Sequence, residues 1–145
     1  MKISTKGRYA LRLMIDLAVN NTGEFIPLKA IAAREGISDK YLEQIINILV
    51  HAGFVVSVRG ANGGYKLTKK PEQYTAGEIL RLTEGSLSPV ACVDDAENQC
   101  MKRGKCATIL LWRDIYNAVN NVVDNVTLKD MAEQQKNFDA SNYFI

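Results

Sequence analysis

Residues that carry enzyme chemistry are scarce in this chain. Its 145 residues include one histidine, His51, and three cysteines. The sequence has neither a phosphate-binding loop nor a dinucleotide-binding glycine fingerprint, and it shows no nucleophile paired with a base. These absences argue against an enzyme.

Long apolar runs are also missing. No stretch approaches the roughly 20 apolar residues that a membrane span needs, and the first residues lack the apolar run of a signal peptide. With 47% hydrophobic and 23% charged residues, the composition is that of a globular protein. The expectation is a cytoplasmic protein without membrane contact. An odd number of cysteines in a reducing compartment favours metal or redox chemistry over a disulfide framework.

The net charge of +2 conceals an uneven distribution. Residues 1–70 carry eleven lysines and arginines against five acidic residues, whereas residues 71–145 carry seven against eleven. A basic front half suits attraction to nucleic-acid phosphates, and an acidic back half does not.

Three helices are predicted in the front half. Ser4 or Thr5 caps the first, and the second and third span about residues 28–34 and 39–51. Gly36 marks the turn between the second and the third helix. Two short helices around a glycine-containing turn of this length form a helix-turn-helix.

A hairpin is predicted directly behind these helices. Residues 54–58 contain three β-branched valines and are predicted to form a strand. Residues 60–64 are of the types that form turns, and 65–67 are predicted to form the return strand. This placement is typical of a wing. The capping box at 75–78 opens another helix, which ends near Glu84.

The second half of the chain divides into an irregular segment and two helices. Residues 86–105 are predicted to be irregular, a long amphipathic helix follows over about 106–124, and Thr127 caps a last short helix. The fold class is mainly α with a small β wing. Four parts are expected: a winged helix-turn-helix DNA-binding domain (1–84), a cysteine-containing sensor loop (85–106), dimerisation helices (107–136) and a C-terminal tail (137–145).

The third helix carries two stripes of opposite character. Its apolar stripe is predicted to face the core and comprises Leu42, Ile45, Ile46 and Leu49. Its polar stripe is predicted to read the major groove and comprises Lys40, Glu43, Gln44 and Asn47. Gln can pair with adenine and Glu with the cytosine amino group. Tyr41, at the shoulder of this face, is predicted to serve a phosphate, with packing in the small core as the alternative.

Further DNA contacts are predicted from the wing. The planar cation of Arg59 suits a narrow minor groove, and Gly60 and Gly63 allow the backbone to approach the duplex. The alternative is a flexible hairpin with an incidental arginine.

The start of the first helix is predicted to clamp phosphates. A helix N-terminus adds its own partial positive charge to that of nearby cations, and hydroxyls can donate there. The alternative is a solvated basic end. The predicted contacts are Lys2, Ser4, Thr5, Lys6 and Arg8.

Four ordered motifs resemble the family of iron–sulfur cluster regulators and cysteine-metabolism repressors (IscR and CymR). They are Met1–Ala10, Ile37–Gln44, Val58–Tyr65 and Thr75–Glu78. The resemblance covers nearly the whole chain. It implies a winged-helix homodimer that binds operator DNA, with the helix from Ser38 to Gln44 in the major groove and the wing arginine in the minor groove.

Cys92, Cys100 and Cys106 are candidate ligands of an iron–sulfur cluster. Thiolates are soft ligands that suit such clusters, and the cluster-bearing branch of the resembled family has three cysteines in this place, before a Leu-Trp. A [2Fe-2S] cluster is favoured over [4Fe-4S]. A metal-free thiol sensor and a zinc site are the alternatives, although zinc sites usually show closer cysteine pairs.

The fourth ligand is open. The resembled family supplies a histidine three residues after the last cysteine or an acidic residue near the N-terminus, where this chain has Ile109 and Arg8. His51 ends the third helix and is predicted to be a surface or cap residue. Local candidates, beside a backbone group, water or a small thiol, are Asp94, Asp95 and Glu97, for which a solvated loop is the alternative.

The C-terminal helices and the tail are predicted to contact partner proteins. The long helix has a wide apolar stripe around Trp112, which predicts pairing with a second copy about a two-fold axis. The tail ends in Tyr143, Phe144 and Ile145. It resembles the ending of the cysteine-repressor branch, which implies docking to cysteine synthase; folding back onto the dimer core is the alternative.

Overall fold

Eight helices and strands follow one another in the residues that the structure, a computed structural model, describes: 1–94, 100–102 and 104–143. Two single 3-10 turns, Pro71–Gln73 and Ala91–Val93, lie between them. The elements are α1 (Thr5–Val19), α2 (Leu28–Glu35), α3 (Asp39–His51), β1 (Val55–Val58), β2 (Gly64–Leu67), α4 (Ala76–Glu84), α5 (Ile109–Val123) and α6 (Leu128–Tyr143).

Side-chain caps fix where the helices begin. The hydroxyls of Ser4 and Ser38 each accept a hydrogen bond from the backbone N–H three residues on, at 3.0 and 3.2 Å. Thr75 and Glu78 form the reciprocal capping box of α4, with bonds of 3.0 and 3.1 Å. Gly36 adopts the left-handed conformation (φ 64°) that the turn between α2 and α3 requires. The predicted starts of α1, α3 and α4 are confirmed.

Helix α1 lies at the centre of the fold, in contact with α2, α3, α4, α6 and β2. The core around it is made of side chains that are fully buried, or nearly so, from five helices and the wing base. Its largest members are Leu13, Met14, Leu17, Ile31, Leu42, Ile45, Ile46, Leu49, Tyr74, Ile79 and Leu128.

The wing is an antiparallel pair with one short addition. Val55 pairs with Leu67 and Val58 with Gly64. The segment before α2 adds an isolated bridge, because Ile26 and Tyr65 exchange backbone hydrogen bonds of 2.8 and 2.9 Å. The wing is therefore tied to the helix-turn-helix.

A buried tyrosine holds the base of the wing. The hydroxyl of Tyr74 donates to the carbonyl of Phe54 at 2.7 Å and accepts from the backbone N–H groups of Thr68 and Lys69 at 3.1 and 3.0 Å. Tyr74 has no exposed surface. This single side chain fixes both ends of the hairpin against the core.

The structure corrects the predicted C-terminal half in two places. Helix α5 begins at Ile109, three residues later than predicted. Helix α6 is not short: it continues to Tyr143, so the expected tail at 137–145 is helical over all but its last two residues, which lie outside the described part. Residues 137–143 contain neither glycine nor proline, so nothing stops the helix. Gln135 also bonds Asp139 one turn on, at 3.0 Å.

Helix α6 packs on the front half of the chain. Leu128 and Ala132 lie in the core against α1, and a role of α5 and α6 in dimerisation stays a prediction. Among the described residues, no helix is long and apolar enough to cross a membrane.

Candidate nucleic-acid interface and cysteine loop

Helix α3 presents a polar face that its core side holds in place. Leu42, Ile45, Ile46 and Leu49 have no exposed surface. The residues on the opposite side are all exposed: Lys40, Glu43, Gln44 and Asn47. Such a helix can offer its side chains to a groove without rearranging the core.

The end of α3 is closed by its histidine. Nδ1 of His51 lies 2.7 Å from the backbone carbonyl oxygen of Asn47, which can only accept a hydrogen bond. His51 is thus an exposed residue of the last turn that satisfies a helix carbonyl, as predicted.

Tyr41 lies between α3 and α1. Its ring is half-buried and meets that of Tyr9 edge-on, with centroids 5.7 Å apart, while the Arg12 guanidinium lies 5.3 Å from the Tyr9 ring. The ring therefore packs, as the core alternative predicted. A phosphate contact by the Tyr41 hydroxyl stays a prediction.

The predicted phosphate clamp surrounds the cap of α1. Lys2, Thr5 and Arg8 are exposed, Lys6 is half-buried, and Arg8 bonds the Thr5 hydroxyl at 3.2 Å. Ser4 differs from these residues, since its N–H and hydroxyl both donate to a carboxylate oxygen of Glu84, at 2.9 and 2.5 Å. Its donors are thus engaged within the protein.

The wing tip exposes Arg59 on a tight turn. Gly60 has a φ of 118°, and the N–H of Gly63 donates to its carbonyl at 3.0 Å. A Cβ at Gly63 would lie 2.3 Å from the carbonyl oxygen of Val58. Both glycines are therefore required by the turn itself. Nearby, Nζ of Lys66 lies 4.5 Å from the centroid of the Phe25 ring.

The three cysteines flank α5 and the turn before it. Cys92 belongs to the 3-10 turn that contacts α5 and is half-buried, Cys100 is exposed, and Cys106 is half-buried. Within the described residues, no three His, Cys, Asp or Glu side chains are arranged as a metal site. Asp94 is half-buried, and the two other acidic candidates, Asp95 and Glu97, lie outside the described residues.

Cys106 has the environment of a reactive thiol. Its Sγ lies 3.0 Å from the hydroxyl oxygen of Thr108. This hydrogen bond, backbone N–H groups and the charge of Lys102 together lower the pKa of the Cys106 thiol. Cys106 also borders a cavity of about 480 Å³ with Lys105 and Arg113. The surroundings therefore favour the thiolate, which is the form that binds metal.

Helix α5 leaves its apolar side uncovered. None of its fifteen residues, all of which the structure describes, is buried. Leu110, Leu111 and Val122 are 63, 53 and 61% exposed. An apolar groove of about 400 Å³ runs beside it, lined by Met1, Ile3, Leu80, Leu87, Ala118, Val119, Val122 and Val123.

Residues 3–134 match the Rrf2 family, described as an iron-dependent transcriptional regulator. The chain belongs to this family. It is 46% identical over 132 residues to the HTH-type transcriptional regulator CymR of Bacillus subtilis, covering 91% of this chain and 90% of the relative. It is 36% identical over 141 residues to the HTH-type transcriptional regulator IscR of Escherichia coli, covering 97 and 86%.

Solved structures of Rrf2-type regulators match the fold. The structure of CymR, "the Global Cysteine Regulator of B. subtilis", has a TM-score of 0.78 and 44% identity, covering 92% of this chain and 98% of that one. The structure of IscR from T. potens has a TM-score of 0.74 and 36% identity, covering 93 and 88%. The predicted resemblance and fold class are confirmed. This Rrf2-family chain is a DNA-binding transcription regulator and not an enzyme.

Two residues that organise this Rrf2 interface were missed by sequence reasoning. Tyr74 resembles any other core aromatic until the four hydrogen-bond contacts of its hydroxyl are seen. Glu84 stands 80 positions from Ser4, and no local pattern connects them. Gly7 is the only trace of that contact in the sequence, since a Cβ there would lie 2.3 Å from a Glu84 oxygen.

Proposed function

We propose that this Rrf2-family regulator binds operator DNA as a homodimer and senses iron–sulfur cluster status through Cys92, Cys100 and Cys106. The observation that carries the sensing proposal is the placement of two of these thiols beside α5: Cys92 lies on the 3-10 turn that contacts α5, and Cys106 precedes α5 at a cavity lined by Lys105 and Arg113. The proposed place of action is the cytoplasm.

DNA is read by α3 and the wing in this proposal. The exposed polar face of α3 has the residue types that pair with base edges, and Arg59 lies on an exposed turn one hairpin away. Glycines that the turn itself requires keep the wing tip narrow enough to follow a groove. The N-terminal cations supply phosphate contacts.

The uncovered apolar side of α5 supports a homodimer. A helix with no buried residue and an apolar stripe gains stability only when another surface covers it. A second copy provides the same stripe, and a two-fold axis matches two recognition helices to two half-sites.

The cysteine loop offers donors that suit a cluster. Three thiols are soft ligands, and Lys102, Lys105 and Arg113 can offset the negative charge of a thiolate-bound cluster. A bound cluster would supply a group that is lost or oxidised when iron or redox conditions change. We favour [2Fe-2S] over [4Fe-4S], with Asp94, Asp95 and Glu97 as candidates for the fourth ligand.

The sensing proposal is tested by an anaerobic visible spectrum of the full chain purified from iron-replete cells. A brown protein with stoichiometric iron and sulfide is expected. A colourless protein without iron would shift the proposal to the thiols themselves, for which the lowered pKa of Cys106 already gives a physical basis.

A substitution at Gln44 tests base reading. Gln44→Ala is expected to cost about 1–3 kcal/mol on a duplex enriched by the wild-type chain from a random library, and to relax selectivity at one base pair. Affinities on single-base variants of that duplex measure this. Lys6→Ala, as the contrast, should weaken all sequences alike. An unchanged sequence preference in Gln44→Ala would remove Gln44 from the readout.

A second candidate function is repression of cysteine metabolism through cysteine synthase. It is favoured by the 46% identity to CymR, against 36% to IscR of Escherichia coli. Because α6 continues to Tyr143, the contact would be made by the end of this helix and the last two residues rather than by a long flexible tail. On this account, full-length protein binds cysteine synthase in a pull-down and a chain lacking Ile145 does not. No binding by the full-length protein removes the partner.

A further inference from the structure

A carboxylate sits on the helix end that is proposed to grip DNA. One oxygen of Glu84, the last residue of α4, accepts the backbone N–H of Ser4 at 2.9 Å and the Ser4 hydroxyl at 2.5 Å. The same hydroxyl oxygen accepts the N–H of Gly7 at 3.0 Å. A relay of three hydrogen bonds therefore joins α4 to the first turn of α1.

The fit between these groups is close. A Cβ on Gly7 would lie 2.3 Å from the Glu84 oxygen and 3.1 Å from the hydroxyl of Thr83. Gly7 is buried, and Ser4 and Glu84 are both half-buried. The missing side chain at Gly7 is thus what lets the carboxylate reach the Ser4 hydroxyl.

The position of this carboxylate is electrostatically costly for a DNA-binding protein. Lys2, Lys6 and Arg8 lie within four residues of Ser4, and a negative charge among them opposes attraction to phosphates. A negative group at a helix N-terminus does, however, stabilise the helix, and a bound serine hydroxyl is held in one rotamer. The contact therefore stabilises the first turn of α1 and also fixes its geometry.

We propose that Glu84 is a positioning residue for DNA binding: it holds the cap of α1 so that Lys6 and Arg8 meet the phosphate backbone in a fixed register. This inference rests on the proposed phosphate contacts of α1. Glu84 is also the last residue of α4, and the chain continues from Gly85 toward Cys92. The helix end that carries the cations is thus tied to the start of the cysteine loop.

Substituting Glu84 by glutamine or by alanine separates the positioning role of this side chain from the effect of its charge. Gln keeps an oxygen that can accept both Ser4 bonds, whereas Ala does not. Both remove the negative charge, so a purely electrostatic role predicts tighter binding by both variants. Glu72→Ala, which removes an exposed carboxylate of the 3-10 turn Pro71–Gln73, reports the charge effect away from α1.

The experiment measures affinity by fluorescence anisotropy over a range of salt, on the enriched duplex and on a random duplex of equal length. Glu84→Ala should weaken binding to both duplexes by about three- to tenfold. The slope of log affinity against log salt concentration should be smaller by about one, because a phosphate contact is lost. Glu84→Gln should bind within about twofold of wild type, or tighter. Stoichiometric titration and thermal melting establish the active, folded fraction of each variant.

Three results overturn the inference. If Glu84→Ala binds as tightly as Glu72→Ala, or both position-84 variants bind more tightly than wild type, Glu84 acts only through its charge. If Glu84→Ala lowers the active fraction while Kd and the salt slope are unchanged, it serves stability alone. Lys6→Ala separates the proposed phosphate contact from the proposed positioning role. If Lys6→Ala does not weaken binding, the phosphate contact is wrong. If Lys6→Ala weakens binding and Glu84→Ala does not, only the positioning role is wrong.

Discussion

Leu111→Asp is expected to convert the dimer into monomers. Leu111, Ile115, Ala118 and Val122 follow one another at helical spacing along the uncovered side of α5, and Leu111 is 53% exposed in the single chain. In a two-fold dimer every substitution occurs twice, so two unpaired carboxylates would be buried near the axis. Self-association should weaken at least about 100-fold, or about 3 kcal/mol.

Sedimentation velocity over a concentration series measures this effect. Asn117→Asp is the matched control, because Asn117 is exposed on the same helix about 120° around its axis from Leu111. It should leave the dimer intact. Operator affinity should fall together with dimerisation in Leu111→Asp, since the two half-sites are no longer held by linked recognition helices. A Leu111→Asp chain that still sediments as a dimer would show that α5 is not the interface.

Each of the three cysteine substitutions is expected to remove the cluster. Cys92→Ala, Cys100→Ala or Cys106→Ala leaves at most two thiolate ligands, which is too few to hold an iron–sulfur centre in this loop. Visible absorbance should be lost or strongly reduced, with iron and sulfide falling together. The fold and the dimer should persist, because these side chains contribute little to the core.

Met101→Ala is the control for the cysteine series. Met101 is fully exposed beside Cys100, so its removal perturbs the same loop without removing a thiol. It should retain the wild-type spectrum. A cysteine variant that keeps the full stoichiometric cluster is not missing a ligand, and that cysteine leaves the proposed set. Serine is a poorer replacement, since its oxygen can still ligate.

Helix α3 shows what the sequence can specify by itself. Its start at Ser38, its end at His51 and its two stripes were predicted, because capping chemistry and a 3.6-residue period act locally. The winged fold was predicted from local signals of this kind, which give three helices followed directly by a hairpin. The same reasoning correctly gave α5 an apolar stripe that a single copy leaves uncovered.

Local signals failed where the deciding contact is distant. The tail was taken to begin at residue 137 because the last helix was predicted to be short, yet Leu128 and Ala132 anchor α6 on α1 and the helix continues to Tyr143. The contact by which the Ser4 hydroxyl donates to Glu84, 80 positions away, was not predicted. Long-range pairs of this kind leave no periodic pattern.

Regulation of DNA binding by the cysteine loop is tested most directly by the operator affinity of one anaerobic preparation before and after its cluster is removed by a chelator. The enriched duplex and a random duplex are titrated with both forms at fixed salt. Because an effector that couples to binding typically changes affinity about 5- to 150-fold, we expect a change of that size on the enriched duplex. The random duplex should change little. Equal affinities of the two forms for the enriched duplex would contradict the claim that the cysteine loop regulates DNA binding.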